Sequence, residues 1–162
     1  MRCWISCNDL IFNYITRNNM QLNAAGYALL KTHEGLRLKA YLCPGGVLTI
    51  GYGHTGNVTP LQHITAQEAQ QLLIKDVARF EDGVSRYVGV KLNENQFSVL
   101  VCFAFNIGLS AFAGSTLLNL LNRRWYTQVP AQLMRWTKVR GVEVPGLVAR
   151  RRAEAELWNR KV

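Results

Sequence analysis

The stretch Glu34-Gly-Leu-Arg-Leu-Lys-Ala-Tyr-Leu-Cys-Pro-Gly-Gly-Val-Leu-Thr49 decides how the rest of the chain is organised. It opens on a carboxylic acid at the end of a helical pattern, and the glycine that follows is the expected helix stop. Apolar and polar residues then alternate, as in a half-buried strand, and the turn at 44–46 predicts a β-hairpin. A helix end facing a hairpin forms a cleft wall, with Glu34 on one side and the small polar residues Cys43 and Thr49 on the other.

Helical patterns account for most of the remaining chain. Asn23 is the expected N-cap of the first helix, and a capping box at 65–68 opens a long helix that ends near Gly83 or Val88. Further helices are expected at 97–105, 116–122, 128–136 and 147–158. The helix at 97–105 is apolar almost all round, so it belongs in the core. These elements predict an α+β fold, in which a small antiparallel sheet lobe and a larger helical lobe are joined by the long helix, with a cleft between them.

The chain is strongly basic, with a formal net charge of +9. From Arg123 to Lys161 there are ten lysines and arginines and only three acids, so most of the excess lies near the carboxyl terminus. A basic surface attracts polyanions over long distances. The candidate partners are nucleic acid, anionic lipid and an anionic cell wall, and solubility alone is the alternative explanation.

Residues 1–19 are expected to form an amino-terminal extension to a single domain over residues 20–162. The longest apolar run in the extension is three residues. This is too short for the core of a signal peptide or for a membrane span.

Neither a metal nor an organic cofactor is expected. The cysteines are Cys3, Cys7, Cys43 and Cys102. Their spacing lacks the two-residue gap typical of metal ligands, and the histidines complete no zinc pattern. The glycines of 51–56 match the dinucleotide-binding pattern, but a turn rather than a helix follows them, so we reject that site. Cys102 lies in an apolar run and is expected to be buried.

Glu34, Cys43 and Thr49, the last within Thr-Ile-Gly-Tyr-Gly-His, together resemble the active-site signature of the bacteriophage lysozyme family. This family comprises the T-even-type muramidases and the related endolysins of lambdoid phages. Phe-Asn-Ile-Gly at 105–108, Ala-Gly-Ser-Thr at 113–116 and Pro-Gly-Leu at 145–147 also match. The resemblance covers roughly residues 20–158, which makes Met20 a candidate for the true start of translation. Aspartate is usual at the middle position of the signature, and cysteine occurs there in a subset.

The resemblance implies a lysozyme-like fold with the active site in the cleft. It also implies hydrolysis of the β-1,4 bond between N-acetylmuramic acid and N-acetylglucosamine, with inversion. This chemistry needs a proton on the leaving oxygen and stabilisation of an oxocarbenium-like centre. Glu34 is the expected general acid. Cys43, assisted by the hydroxyl group of Thr49, is expected to orient a water molecule or to attack as thiolate.

Other residues are candidates for supporting roles. His54 and Asp76 are expected to form a structural pair that holds the sheet lobe to the long helix. One of the arginines at 150–152 is expected to pair with Glu34 or to bind substrate, and the other two to be solvated. Which of the three faces the cleft stays open, and Arg150 is named as the candidate for substrate binding. Asn106 is a candidate hydrogen-bonding partner for an N-acetyl group of the substrate. A disulfide lock between Cys43 and Cys3 or Cys7 is a further hypothesis, which comes from related endolysins.

The partners implied are peptidoglycan and, for release, a holin; no nucleic acid is expected, and the protein is expected to be a monomer. The resemblance places it in the host cytoplasm until it reaches the wall. Two alternative functions stay open. One is a lytic transglycosylase, which also needs a single acid. The other is a non-catalytic basic protein that would act through its cationic carboxyl-terminal helix.

Overall fold

The computed structural model describes residues 20–161 of the chain. Its helices are α1 (Ala24–Glu34), α2 (Ala66–Tyr87), α3 (Glu94–Ile107), α4 (Leu109–Ala113), α5 (Thr116–Asn122), α6 (Val129–Leu133) and α7 (Pro145–Asn159). Its strands are β1 (Arg37–Leu42), β2 (Leu48–Gly51), β3 (Lys138–Val139) and β4 (Val142–Glu143), and Tyr126–Gln128 forms a 3-10 turn. The hypotheses about the extension, Cys3 and Cys7 fall on residues outside this description.

Helix α1 begins and ends at the residues that the sequence predicts. The side chain of Asn23 accepts a hydrogen bond from the amide of Gly26 at 2.9 Å, which satisfies one free donor of the first turn. Gly35 ends the helix with a φ of 69°, a conformation that favours glycine. The carboxyl group of Glu34 is thereby fixed at the last turn of α1, where the chain turns towards the hairpin.

Strands β1 and β2 form the predicted antiparallel hairpin, with Arg37 opposite Gly51. The expectation that β1 is half buried is wrong, because Leu36 and Leu38 are 42% and 39% exposed. Strand β2 buries its side chains instead, since it is the strand that packs against α2. An alternating pattern predicts a strand but does not show which strand of a two-stranded sheet faces the core.

Helix α2 links the hairpin to the helical body. Its amino-terminal capping box is present: the hydroxyl group of Thr65 accepts a hydrogen bond from the amide of Glu68 at 3.2 Å. Near this end, a Cβ atom on Gly51 would lie 3.4 Å from Ala69, so β2 and α2 are in close contact. Towards the other end, the ring of Phe80 packs against Phe105 of α3. The predicted two-lobed arrangement around one long helix is therefore present.

Helix α3 forms the centre of the core, as its apolar sequence predicts. All side chains from Phe97 to Ala104 are buried, and the helix contacts α1, α2 and α7. Cys102 is fully buried in this helix, as expected, and its thiol donates to the carbonyl oxygen of Gly26 at 3.5 Å. Because α3 touches both α1 and α7, side chains from these helices meet over its carboxyl-terminal half.

The carboxyl-terminal third differs in part from the prediction. Helix α5 has the expected bounds, but the helix expected at 128–136 is only the short α6, which follows a 3-10 turn. Helix α4 and the β3–β4 hairpin were not predicted, because elements of two to five residues carry too little periodicity. Helix α7 begins at Pro145, two residues before the predicted start, since proline is favoured in the first helical turn.

No helix between residues 20 and 161 is both long enough and apolar enough to cross a bilayer.

Candidate active site

Glu34 forms a close ion pair with Arg150. The guanidinium Nη1 atom of Arg150 donates to Oε1 of Glu34 at 2.6 Å, across 116 positions of sequence. The side chain of Glu34 is 22% exposed and that of Arg150 only 5% exposed. The buried Arg150 thus binds one carboxylate oxygen of Glu34 from the interior side, while part of the Glu34 side chain reaches solvent.

Arg150 is held in place by two further contacts. Its Nη2 atom donates to the carbonyl oxygen of Cys102 at 3.2 Å, and its Nε atom donates to Oε1 of Glu154 at 3.4 Å. A planar guanidinium group with three separate acceptors has a fixed orientation. Arg150 therefore has the position of an ion-pair partner for Glu34.

His33 lies next to Glu34 in the chain and shares its surroundings. Burial, followed by the positive charge of Arg150, lowers the pKa of the His33 imidazole below its ordinary value of 6.5. The imidazole is consequently neutral at pH 7, so Arg150 supplies the positive charge beside Glu34. An arginine from 150–152 was expected beside Glu34, and the arginine that pairs with it is Arg150.

The loop that follows β2 lies against Glu34. A Cβ atom built on Gly53 would lie 3.8 Å from Oε2 of Glu34, and Gly53 has a φ of 90°. The two carboxylate oxygens therefore face different groups, with Oε1 on Arg150 and Oε2 towards this loop. The end of α1 therefore lies close to the loop that follows β2.

Cys43 and Thr49 lie together at the hairpin turn. The side chain of Cys43 is half buried, and the buried Thr49 hydroxyl donates to the carbonyl oxygen of Val47 at 3.0 Å. Hydrogen bonds from the backbone of Val47, then of Gly45, lower the pKa of the Cys43 thiol, and the Thr49 hydroxyl adds a smaller effect in the same direction. The turn therefore makes the Cys43 thiol easier to ionise than an ordinary cysteine. That Cys43 and Thr49 lie opposite Glu34 across the cleft stays a prediction from the sequence signature.

His54 and Asp76 connect the loop after β2 to α2. The Nδ1 atom of His54 lies 2.8 Å from Oδ2 of Asp76, and its Nε2 atom lies 2.8 Å from the carbonyl oxygen of Gly56. Both ring nitrogens face acceptors. The hydrogen bond between Nδ1 of His54 and the carboxylate of Asp76 connects the sheet lobe to the long helix.

We expect His54→Ala to destabilise the protein by about 1–3 kcal/mol, the usual range for a hydrogen bond to a charged group. Thermal unfolding measures this loss, with the exposed His63→Ala as the matched control. Turnover measured well below the melting temperature is expected to stay near wild type. An unchanged melting temperature together with lost activity would show that the pair acts in catalysis instead.

Arg151 and Glu154 belong to the same cluster; Arg151 was expected only as one of three candidate arginines, and Glu154 was not singled out from the sequence. The expectation that two of the three arginines are solvated is wrong, because Arg151 is fully buried and only Arg152 is exposed. The Nη2 atom of Arg151 donates to Oδ1 of Asn106 at 2.8 Å, and its Nε atom lies 3.1 Å from Oε2 of Glu154. The spacing of three and four residues to Glu154 is the sequence signal that predicts such pairs.

Residues 31–154 match the sequence model of the family described as phage lysozyme. This chain belongs to the phage lysozyme family. The matched range begins just before Glu34 and ends at Glu154, so it contains every residue of the ion-pair cluster.

Curated relatives within the family are phage endolysins. The chain is 46% identical to the endolysin of Bacillus phage PZA over 143 residues, which is 86% of this chain and 55% of that protein. It is 42% identical to the endolysin of Salmonella phage P22 over 144 residues, 86% of this chain and 98% of that protein. The chain thus spans about half the length of the Bacillus phage relative and nearly all of the P22 relative.

Solved structures confirm the predicted lysozyme-like α+β fold. The muramidase domain of SpmX from Asticcacaulis excentricus superposes with a TM-score of 0.84 and is 34% identical, covering 88% of this chain and all of that one. A mutant P22 lysozyme superposes with a TM-score of 0.80 and is 40% identical, covering 86% of this chain and 99% of that one.

Proposed function

We propose that this protein is an endolysin that hydrolyses the β-1,4 bond between N-acetylmuramic acid and N-acetylglucosamine in peptidoglycan. The observation that carries the proposal is the partly exposed carboxyl group of Glu34, fixed by Arg150 at the end of α1. Membership of the phage lysozyme family and the endolysin relatives support it. Lysis of the host at the end of infection, with a holin giving access to the wall, is part of the same proposal.

Glu34 is the proton donor in this mechanism. It transfers its proton to the glycosidic oxygen as the bond to the anomeric carbon breaks, and an oxocarbenium-like centre develops on the sugar. Arg150 is buried behind Glu34, so we assign it to orienting the acid rather than to contacting the sugar. Water then attacks the anomeric carbon from the opposite face, which inverts its configuration.

Cys43 and Thr49 activate this water. Because the backbone of the hairpin turn lowers the pKa of the Cys43 thiol, more thiolate is present at neutral pH than in an ordinary cysteine. A thiolate offers the negative charge that an aspartate supplies at this position in most of the family. Thr49 helps to hold the thiol at the turn.

Asn106 binds an acceptor atom of the substrate. Its Oδ1 atom receives a hydrogen bond from Arg151, so its Nδ2 group is the part left to donate. A guanidinium group has only donors, which fixes the amide in this orientation. The carbonyl oxygen of an N-acetyl group is the matching acceptor on the proposed substrate, and Asn106 is exposed on the surface where it can reach one.

The products of digestion test the proposal. Purified peptidoglycan is digested, and the fragments are analysed by mass spectrometry. Hydrolysis adds one water for each bond cleaved and leaves a reducing end. A lytic transglycosylase, which the cysteine at position 43 keeps as the second candidate, would use the sugar's own hydroxyl group and give anhydro products. Anhydro ends throughout would overturn the hydrolase assignment, and uncut peptidoglycan would favour a non-catalytic basic protein.

Substitution of Cys43 tests the role of the thiol. We expect Cys43→Asp to stay within about tenfold of wild-type turnover, because a carboxylate can orient the same water. Cys43→Ser keeps the size but lacks an anion, so it is expected to lose more activity than Cys43→Asp. Turbidity loss of a peptidoglycan suspension measures both. Equal, wild-type rates for the two variants would contradict the role given to the thiolate.

A further inference from the structure

Glu154 is a buried carboxyl group to which the proposed mechanism gives no role. Its side chain is fully buried in α7. Its two oxygens face two different arginines: Oε1 lies 3.4 Å from Nε of Arg150, and Oε2 lies 3.1 Å from Nε of Arg151. The single carboxyl group therefore lies between two guanidinium groups that are themselves buried.

The two arginines reach different functional groups. Arg150 donates to Glu34, the proposed acid, at 2.6 Å. Arg151 donates to Asn106, the proposed amide for the N-acetyl group, at 2.8 Å. Glu154 contacts neither Glu34 nor Asn106, but it contacts the side chain that orients each of them.

Stability alone does not account for this cluster. Burying charges is unfavourable, and a buried ion pair is often no more stable than apolar residues of similar volume. In the described part of the chain, Nε and Nη1 of Arg151 and Oε2 of Glu154 have no well-aligned hydrogen-bond partner. The cluster is thus incompletely satisfied, and what it provides is a fixed direction for two guanidinium groups.

We infer that Glu154 is a positioning residue that holds Arg150 against Glu34 and Arg151 against Asn106, so that the acid and the substrate-binding amide share one buried anchor. The inference rests on the proposed function, because it takes Glu34 as the proton donor.

The charge of Glu154 gives the inference a pH signature. The charged groups that face it are Arg150 and Arg151 on its own helix and, beyond Arg150, Glu34 on α1; the Cys102 thiol on α3 also lies nearby. Burial raises the pKa of Glu154 to about 7, although the two arginines oppose this. A neutral carboxyl group holds a guanidinium group less strongly, so positioning weakens as pH falls through about 7.

Stability changes with pH in the opposite direction. The pKa of Glu154 is raised from 4.5 in the folded state, so the folded protein binds this proton more tightly than the unfolded chain does. Protonation of Glu154 therefore adds stability as pH falls from about 7 towards 4.5. A purely structural carboxyl group would change the melting temperature across this range without changing turnover.

Glu154→Gln and Glu154→Asp test the inference in the full-length protein, with the exposed Glu156→Gln on the same helix as the matched control. Initial rates of peptidoglycan clearing are measured against substrate concentration from pH 5.5 to 8.5, at temperatures where each variant is folded. We expect Glu154→Gln to lose roughly 10- to 100-fold in turnover at pH 8, the size of effect that a small displacement of catalytic groups produces. The rise in turnover that wild type shows as pH increases through about 7 should be absent in Glu154→Gln. Glu156→Gln should match wild type.

Glu154→Asp keeps the charge but is one methylene shorter, so it cannot hold both arginines, and an intermediate loss is expected. This variant decides the question if Glu154→Gln does not fold. Wild-type turnover and an unchanged pH profile in a folded Glu154 variant would overturn the inference. A parallel assay of Glu34→Gln separates the two proposals: if Glu34→Gln is inactive while Glu154→Gln is not, only the positioning role fails.

Discussion

Glu34→Gln is expected to abolish peptidoglycan clearing, with turnover lower by about 10²- to 10⁴-fold, the range for loss of a general acid. Glutamine has nearly the same shape as glutamate, and its Oε1 atom can still accept the hydrogen bond that Arg150 donates. The ion pair becomes an ordinary hydrogen bond, while the proton that the leaving oxygen needs is missing. The loss should therefore appear in turnover and not in folding.

Two measurements separate lost chemistry from lost structure. Thermal unfolding of Glu34→Gln should show a cooperative transition, and the variant should still sediment with insoluble peptidoglycan as wild type does. Glu156→Gln, an exposed change of the same kind, should clear the suspension at the wild-type rate. If Glu34→Gln cleared the suspension as fast as wild type, Glu34 would not be the acid. Family membership would then account for the fold but not for an active site at Glu34.

Local sequence rules predicted the elements that carry the site. Asn23, Gly35 and Thr65 each act on a neighbour within a few positions, so their effect on helix ends can be read directly from the chain. The hairpin was also predictable, since its turn and alternation lie within 16 residues. These elements place Glu34 beside the sheet lobe, which is why the position of this carboxyl group can be predicted from the sequence.

The surroundings of Glu34 could not be predicted in the same way. Neighbouring positions on α7 point in directions about 100° apart, so three consecutive arginines must face three environments. Which of them is buried depends on Asn106 and Cys102, which lie 45 and 48 positions away and are brought together by packing on α3. The pairing of Arg150 and Arg151 with Glu154 was readable from helical spacing, but their complete burial was not.

The buried cluster also makes a prediction about stability. Arg151→Met should destabilise the protein by about 3–5 kcal/mol, because it removes one of the two partners of a fully buried carboxyl group. Methionine fills similar space beside Phe103, whose ring now lies 4.9 Å from the guanidinium group of Arg151. Chemical denaturation measures the loss. The exposed neighbour Arg152→Met should stay within about 0.5 kcal/mol of wild type.

The pH dependence of this loss identifies its cause. In Arg151→Met the remaining charge on Glu154 is unfavourable, and a proton can remove it. Because Arg151 lowers the pKa of Glu154, its loss raises that pKa further above about 7. The penalty of Arg151→Met should therefore be smaller at pH 5.5 than at pH 8, and adding Glu154→Gln should restore stability at pH 8. A penalty that is equal at both pH values would mean that lost packing, rather than an unpaired buried charge, destabilises the variant.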